Sequence, residues 1–383
     1  MKARGILLSL VILASSLLAI SPTNAALTCK FVGETKGPDG KQSACVRING
    51  NFQLISYPKK KVSQLSSYEK TKLKAYQEIR NAISKKPLQN IQLQYFISEN
   101  LSTELKKEFI QKTEIASQLY DQFFTQPEII NVYFQTNKDQ AYIRNHPMMS
   151  RDASDFDQWF KDWDSGTSTS HLIGLIAKYV EFEGKAQGHT GVLLSAKSNK
   201  ATLGLYAQQV VAHEYFHVIQ DRYKYQRDKT GYDNSPSGFD RYYPPIFREG
   251  SANTIATAVS MKSFEDYLLF YQIFISSNTE TWSPKVFNDL KSTEKVIETL
   301  KQIEYSKRFP DAHWAAYPIG SLVFEWFIAE YGFNAYKKLI FNQEQGIPFE
   351  ENLKQAAGIT LDQLYVKAAP HVLAGFKGSK RTT

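Results

Sequence analysis

Hydrophobic and polar residues follow helical and strand periods in turn between residues 61 and 204. Apolar positions three and four apart predict amphipathic helices, and strict alternation predicts half-buried strands. The predicted helices cover residues 68–85 and 103–124, and the predicted strands cover 91–97, 130–135, 179–183 and 191–196. This segment is therefore predicted to be an α/β subdomain.

The second part of the chain, residues 205–383, is predicted to be mainly helical. A helix begins near Thr202, and residues 222–243 are rich in tyrosine and broken by glycine and proline, which predicts a long loop. Further helices, a stop at Gly332 and a start after Thr360 follow. We predict an α+β fold, with a mixed small β-sheet and helices in the first subdomain, a mainly helical second subdomain and a cleft between them.

The first 25 residues have the pattern of a secretory signal peptide. Lys2 and Arg4 precede an apolar run over residues 6–20, and Ala25 offers a cleavage site. A retained N-terminal anchor is the alternative, and Thr28 before Cys29 makes a poor lipoprotein site. We expect a chain that is secreted or lies on the exterior of the cell envelope, without stable membrane insertion after cleavage.

Both cysteines of the chain, Cys29 and Cys45, follow the predicted cleavage site. In an oxidising compartment they can pair across a short loop. Residues 26–60 are therefore predicted to form a small disulfide-stapled β module with a lysine-rich linker. The module either contacts the envelope or a partner, or caps the N-terminus.

Composition sets the remaining limits. The chain has 383 residues and 42% hydrophobic content, enough for a sizeable core, and a formal net charge of +8. Basic pairs such as Lys106–Lys107 alternate with acidic and aromatic residues, as on a solvated helix face. This pattern excludes a continuous phosphate track, so no nucleic-acid partner is expected.

Residues 213–217 read His-Glu-Tyr-Phe-His and carry the most specific chemical signal. On a helix, His213 and His217 lie one turn apart on the same face and can direct two imidazoles at one metal ion, for which zinc is the natural choice. Glu214 projects beside that pair, where it can take a proton from a metal-bound water.

Two imidazoles hold zinc too weakly for a catalytic site, so a third ligand is required. The best candidate is Glu249, which begins a segment of small and apolar residues that predicts a tightly packed helix after Pro244 and Pro245. Asn253, four residues later, is predicted to accept a hydrogen bond from one ligand imidazole. A surface carboxylate is the alternative for Glu249, in which case Asp233 or Asp240 becomes the better ligand.

His213-Glu214-x-x-His217 followed by Glu249-Gly250-x-Ala252 resembles the gluzincin superfamily of zinc peptidases, also called peptidase MA-like. The resemblance implies one catalytic Zn²⁺ held by His213, His217 and Glu249, with Glu214 as general base. It also implies a gluzincin-like fold with the active site between the two subdomains. The absence of a Gly-Ala-Met-Glu-Asn segment favours an endopeptidase over an aminopeptidase.

Gluzincins commonly supply a further donor to the oxyanion, and Tyr317 in Tyr317-x-x-Gly320 resembles that residue. His313 is the alternative donor. The strand at residues 191–196 either forms a sheet edge beside the cleft, to which a peptide can add, or is an interior strand.

These expectations combine into a secreted zinc-dependent peptidase that acts on peptide or protein substrates. The alternative from another class is a secreted, non-catalytic binding protein on a peptidase scaffold that keeps a structural zinc.

Overall fold

The computed structural model describes residues 35–36, 43–48, 51–84, 86–146, 172–194, 205–229, 242–281, 284–304 and 310–379. Two β-sheets and a predominantly helical second half confirm the predicted α+β class. The strands are β1 (Thr35–Lys36), β2 (Ser43–Ile48), β3 (Asn51–Ser56), β4 (Ile91–Ile97), β5 (Glu128–Thr136), β6 (Leu172–Phe182) and β7 (Lys185–Leu194).

The helices of the described residues are α1 (Ser67–Ala82), α2 (Thr103–Tyr120), α3 (Gln140–Asn145), α4 (Leu205–Lys229), α5 (Pro245–Ser260), α6 (Phe264–Thr281), α7 (Pro284–Asn288), α8 (Thr293–Glu304), α9 (Pro310–Glu344), α10 (Phe349–Ala357) and α11 (Leu361–Ser379). Short 3₁₀ helices lie at Val62–Gln64 and Asp121–Phe123. None of these helices combines the length and the hydrophobicity that a membrane span requires, as far as the described residues go.

The first sheet is an antiparallel arrangement of β1, β2 and β3 in chain order. The pairing of β2 and β3 runs from Ser43 opposite Ser56 to Ile48 opposite Asn51, and β2 packs against α6. Cys45 is buried in β2, whereas Cys29 lies outside the described residues. The disulfide therefore stays a prediction, as does the signal peptide, which also lies outside them.

The second sheet has the strand order β4-β5-β7-β6, with parallel pairing except between β6 and β7. Of the two alternatives for residues 191–196, the interior strand is the one observed for the described part, up to Leu194, because β7 lies between β5 and β6. The predicted strands at 179–183 and 191–196 belong to one hairpin that turns at Glu183 and Gly184, both at positive φ. The hairpin therefore places β6, rather than β7, at the edge.

Helix α4 packs across the second sheet at a point of close approach. A Cβ added to Gly188 of β7 would lie 2.5 Å from Ile130 Cδ1 and 2.5 Å from Val218 Cγ1. Glycine at this position lets the helix and the strands meet closely. The other side of α4 packs against α5, so that α4 lies between the sheet and the helical part of the fold.

Helix α4 continues to Lys229, so the prediction of a loop beginning at residue 222 is wrong over residues 222–229. Tyr223 lies in this helical extension, and its hydroxyl donates a hydrogen bond of 2.6 Å to the carbonyl of Phe123. The tyrosine is fully buried. An aromatic residue that suggested a loop in the sequence thus fixes the end of a helix to the 3₁₀ turn after α2.

Helix α9 breaks at Gly332, whose φ of 81° and ψ of 164° are non-helical. Positive φ is accessible to glycine without a Cβ clash, and the predicted helix stop at this residue is confirmed. The start of α11 is also confirmed, because the Thr360 hydroxyl accepts a hydrogen bond from the backbone N–H of Gln363.

Candidate metal centre

The two histidines of the motif lie on the buried part of α4. The helix is held there by tyrosines, since Tyr120 donates a hydrogen bond of 2.9 Å to the carbonyl of Ala212 and the Tyr215 hydroxyl accepts one of 3.1 Å from Ser117. Both hydrogen bonds come from α2. The backbone that carries His213 and His217 is therefore fixed by the core on the side opposite to the imidazoles.

Glu249 approaches the imidazoles from α5, 32 positions after His217. This helix begins at Pro245 and is brought close to α9 by a glycine pair, because a Cβ added to Gly250 would lie 2.5 Å from the Cα of Gly320. The Thr254 hydroxyl also donates to the carbonyl of Ser321 at 2.8 Å. The crossing of α5 and α9 thus sets the position of the carboxylate next to Gly250.

Three side-chain atoms converge at the centre of this cluster. The Nε2 atoms of His213 and His217 are 3.0 Å apart, and Oε2 of Glu249 lies 3.1 Å from His217 Nε2 and 3.4 Å from His213 Nε2. Tetrahedral zinc with ligand distances near 2.0–2.1 Å requires ligand atoms roughly 3.3 Å apart. The donor set and its spacing fit a zinc ion, and within the described residues this is the only such cluster of three.

Glu214 lies beside the three converging atoms. Its Oε1 is 3.9 Å from His213 Nε2, and burial raises the pKa of its carboxyl from 4.5 to about 7, with the Glu249 carboxylate adding to the effect. Burial alone would also raise the pKa of Glu249, but the neighbouring His217 and His213 imidazoles lower it well below its ordinary value. The two carboxyl groups therefore differ in proton affinity, as a proton acceptor and a metal ligand would.

Gln220, rather than Asn253, is hydrogen-bonded to a ligand imidazole. His217 Nδ1 lies 2.7 Å from Gln220 Oε1. The prediction for Asn253 is wrong, because its Oδ1 accepts a hydrogen bond of 2.8 Å from Gln209 and its Nδ2 donates to the carbonyl of Tyr317. Gln220 follows the second histidine by three positions on the same helix, and that spacing is the signal that could have identified it.

Tyr317 on α9 is brought to the cluster and stacks on His213, with ring centroids 6.0 Å apart and an interplanar angle of 26°. Burial raises the pKa of its hydroxyl, and the carboxylates of Glu249 and Glu214 raise it further, so the phenol keeps its proton. The Trp314 ring also stacks on the Tyr317 ring, with ring centroids 5.8 Å apart, and Trp314 is 42% exposed. The side chain of His313 lies outside the described residues.

An ion pair closes the end of the cluster between α4 and α5. Arg248 Nη2 lies 3.8 Å from Asp221 Oδ1, and Arg248 Nε lies 3.8 Å from Glu249 Oε1. Asp233 and Asp240, the alternative third ligands, lie outside the described residues.

The fold and the site together define a class: an α+β protein whose buried His, His and Glu side chains form a candidate mononuclear metal centre. The sequence assigns the family. Residues 60–335 match the model of the DUF5700 family, described as "Putative zinc dependent peptidase", and the chain belongs to this family. No curated protein and no solved structure shows a significant match to the chain. Zinc, predicted from the motif, is thus confirmed as the cofactor of the family.

Proposed function

We propose that the chain is a secreted zinc endopeptidase of the gluzincin type, in which His213, His217 and Glu249 hold the metal. The observation that carries the proposal is the convergence of two imidazole nitrogens and one carboxylate oxygen within 3.4 Å of one another, with a buried glutamate beside them. A purely structural zinc site has no need of that additional glutamate.

When bound, zinc would supply Lewis-acid polarisation of the scissile carbonyl and would lower the pKa of a water molecule. Glu214 removes the proton from the attacking water as a new C–O bond forms at the carbonyl carbon. The same carboxyl then gives this proton to the leaving amine as the C–N bond breaks. Burial raises the pKa of the Glu214 carboxyl in the metal-free chain, and a carboxyl whose pKa lies nearer to neutral can both accept this proton and return it.

Tyr317 is the proposed donor to the carbonyl oxygen as negative charge develops on it. Its ring stacks beside His213, and burial together with nearby carboxylates raises its pKa. A phenol that keeps its proton can donate a hydrogen bond in a water-poor site, which stabilises an oxyanion. Tyr317 is preferred to His313 on this support.

Peptides or proteins outside the cell are the proposed substrates, and residues 26–60 are the proposed region for contact with the envelope. Both proposals rest on the N-terminal sequence pattern and on the family description.

The proposal is tested by digestion of casein and gelatin with and without 1,10-phenanthroline, together with the zinc content of each preparation. Glu214→Gln should bind one zinc per chain as the wild type does but lose hydrolysis by about a hundredfold or more, since general acid–base catalysis contributes roughly 10²–10⁴. Glu330→Gln, at an exposed position of α9, is the matched control and should keep both properties. Turnover at the wild-type rate in Glu214→Gln would contradict the assignment of the base.

A further inference from the structure

Gln220 lies at a junction between the candidate metal centre and the helix that carries the third ligand. Its side chain is buried, and its Oε1 is 2.7 Å from Nδ1 of His217. Its Nε2 lies 3.1 Å from the carbonyl oxygen of Arg248 and 3.3 Å from the Ser251 hydroxyl. One amide group thus contacts a ligand on α4 and the two residues that flank Glu249 and Gly250 on α5.

The contacts on α5 determine which way round the amide lies. A backbone carbonyl can only accept a hydrogen bond, so the group that faces Arg248 O must be the NH₂ of the glutamine. The amide oxygen must then face His217. Since this oxygen can only accept, Nδ1 of His217 must carry a proton.

The tautomer follows from this arrangement. When Nδ1 of a neutral imidazole is protonated, the lone pair is on Nε2. Nε2 is the atom of His217 that lies 3.0 Å from His213 Nε2 and 3.1 Å from Glu249 Oε2. No comparable hydrogen bond fixes the tautomer of His213, because its Nδ1 is buried and has no hydrogen-bond partner within the described part of the chain.

We propose that Gln220 is a positioning residue, which fixes His217 in its metal-binding tautomer and connects that tautomer to the placement of Glu249 on α5. The inference rests on the proposed metal centre. The partner of the imidazole is a neutral amide, so it orients the ring without adding a negative charge to the site. Partners of this kind typically change metal affinity by about 10- to 100-fold when removed.

Two substitutions separate the roles of the amide. Gln220→Leu keeps most of the volume but removes both the acceptor for His217 and the donor to α5. Gln220→Glu keeps an acceptor for His217 and loses the donor to Arg248. Gln209→Leu is the matched control, because Gln209 lies on the same helix, is equally buried at 2% exposure and donates to Asn253 instead of contacting a ligand.

Zinc affinity is measured by competition with a chromophoric chelator. We expect Gln220→Leu to bind zinc about 10- to 100-fold more weakly than the wild type, and Gln220→Glu to stay within about tenfold. Gln209→Leu should remain within about threefold of the wild type, since it contacts no ligand. Equal affinities for Gln220→Leu and Gln209→Leu would overturn the inference, as would a Gln220→Glu variant as weak as Gln220→Leu.

A second measurement does not depend on zinc. Long-range ¹H–¹⁵N correlation spectra of the zinc-free protein, recorded above the titration range of histidine, report the tautomer of His217. Because the ionised Glu249 carboxylate beside Nε2 also only accepts, the two nitrogens compete for the single proton of the neutral ring. Gln220 should hold a measurable fraction of that proton on Nδ1 in the wild type, and Gln220→Leu should leave the proton on Nε2. An unchanged tautomer in Gln220→Leu would refute the role of Gln220 even if zinc binding by the wild type failed, so failure of the proposed function remains distinguishable.

Discussion

Gly250→Ala perturbs the crossing of α5 and α9 that places the third candidate ligand. The added methyl group would lie 2.5 Å from the Cα and 2.6 Å from the carbonyl oxygen of Gly320. Ordinary van der Waals contact begins at 3.4 Å. The carbonyl carbon of Gly320 lies closer still, so the helices must separate by at least about 0.9 Å, the difference between 3.4 and 2.5 Å, because none of these backbone atoms can rotate away.

This separation has a local cost and a consequence for the metal centre. Overpacking of this kind destabilises a folded protein by typically about 1–3 kcal/mol. Glu249 precedes Gly250, and its Oε2 must stay within about 0.2 Å of a zinc-binding position to coordinate well. A displacement several times larger should weaken zinc binding in addition to stability.

Urea unfolding and zinc competition measure the two effects on the same samples. Gly375→Ala is the matched control, because a Cβ there would meet the ends of two side chains, Leu322 Cδ1 at 2.7 Å and the Tyr68 hydroxyl at 3.0 Å, rather than backbone atoms. We expect Gly250→Ala to lose more unfolding free energy than Gly375→Ala and to bind zinc at least tenfold more weakly. Wild-type zinc affinity in a folded Gly250→Ala protein would refute the argument that this crossing sets the ligand position.

Other substitutions test the remaining parts of the site and of the fold. Glu249→Ala should lose stoichiometric zinc while the protein stays folded, measured by metal analysis; retained zinc would favour Asp233 or Asp240. Tyr317→Phe should keep zinc but lower kcat by roughly 10²–10³, the usual loss of one oxyanion donor, and an unchanged kcat would exclude the role. Lys72→Met should destabilise the protein by about 3–5 kcal/mol in urea unfolding, because it leaves the fully buried Glu325 carboxylate without the ammonium that contacts it at 2.7 Å; a loss under 1 kcal/mol would contradict this. Burial alone would raise the pKa of Glu325, but Lys72 and His371 lower it below 4.5. The ionised Glu325 carboxylate therefore stabilises the fold above about pH 4.5, and this stabilisation is lost as the pH falls through the folded-state pKa. Glu325→Gln should accordingly make the free energy of unfolding less dependent on pH in the acidic range.

The sequence predicts the local elements well where periodicity decides them. The strand Ile91–Ile97 has the predicted bounds, and Gly332 ends a helix as expected. His213 and His217 meet because their spacing on one helix requires it. Glu249 could be selected because small residues after it indicate close packing between helices.

Periodicity does not determine how distant elements pair or rotate. The interior position of β7 depends on a hairpin with β6 and on parallel pairing with β5, neither of which the strand's own pattern encodes. Helix α5 is buried on nearly all sides, so its sequence gives no polar face from which to orient Asn253. The Gly250–Gly320 contact sets the rotation of α5 about its axis, and this rotation directs Asn253 toward Gln209. The hydrogen bond to the His217 imidazole is made by Gln220 instead.

The most direct test of the proposed metal centre is X-ray diffraction at the zinc absorption edge from crystals of the purified chain grown with Zn²⁺. We expect one anomalous peak about 2.0–2.2 Å from His213 Nε2, His217 Nε2 and Glu249 Oε2. A zinc-soaked crystal with no peak at this position, or with a peak whose ligands exclude Glu249, would contradict it.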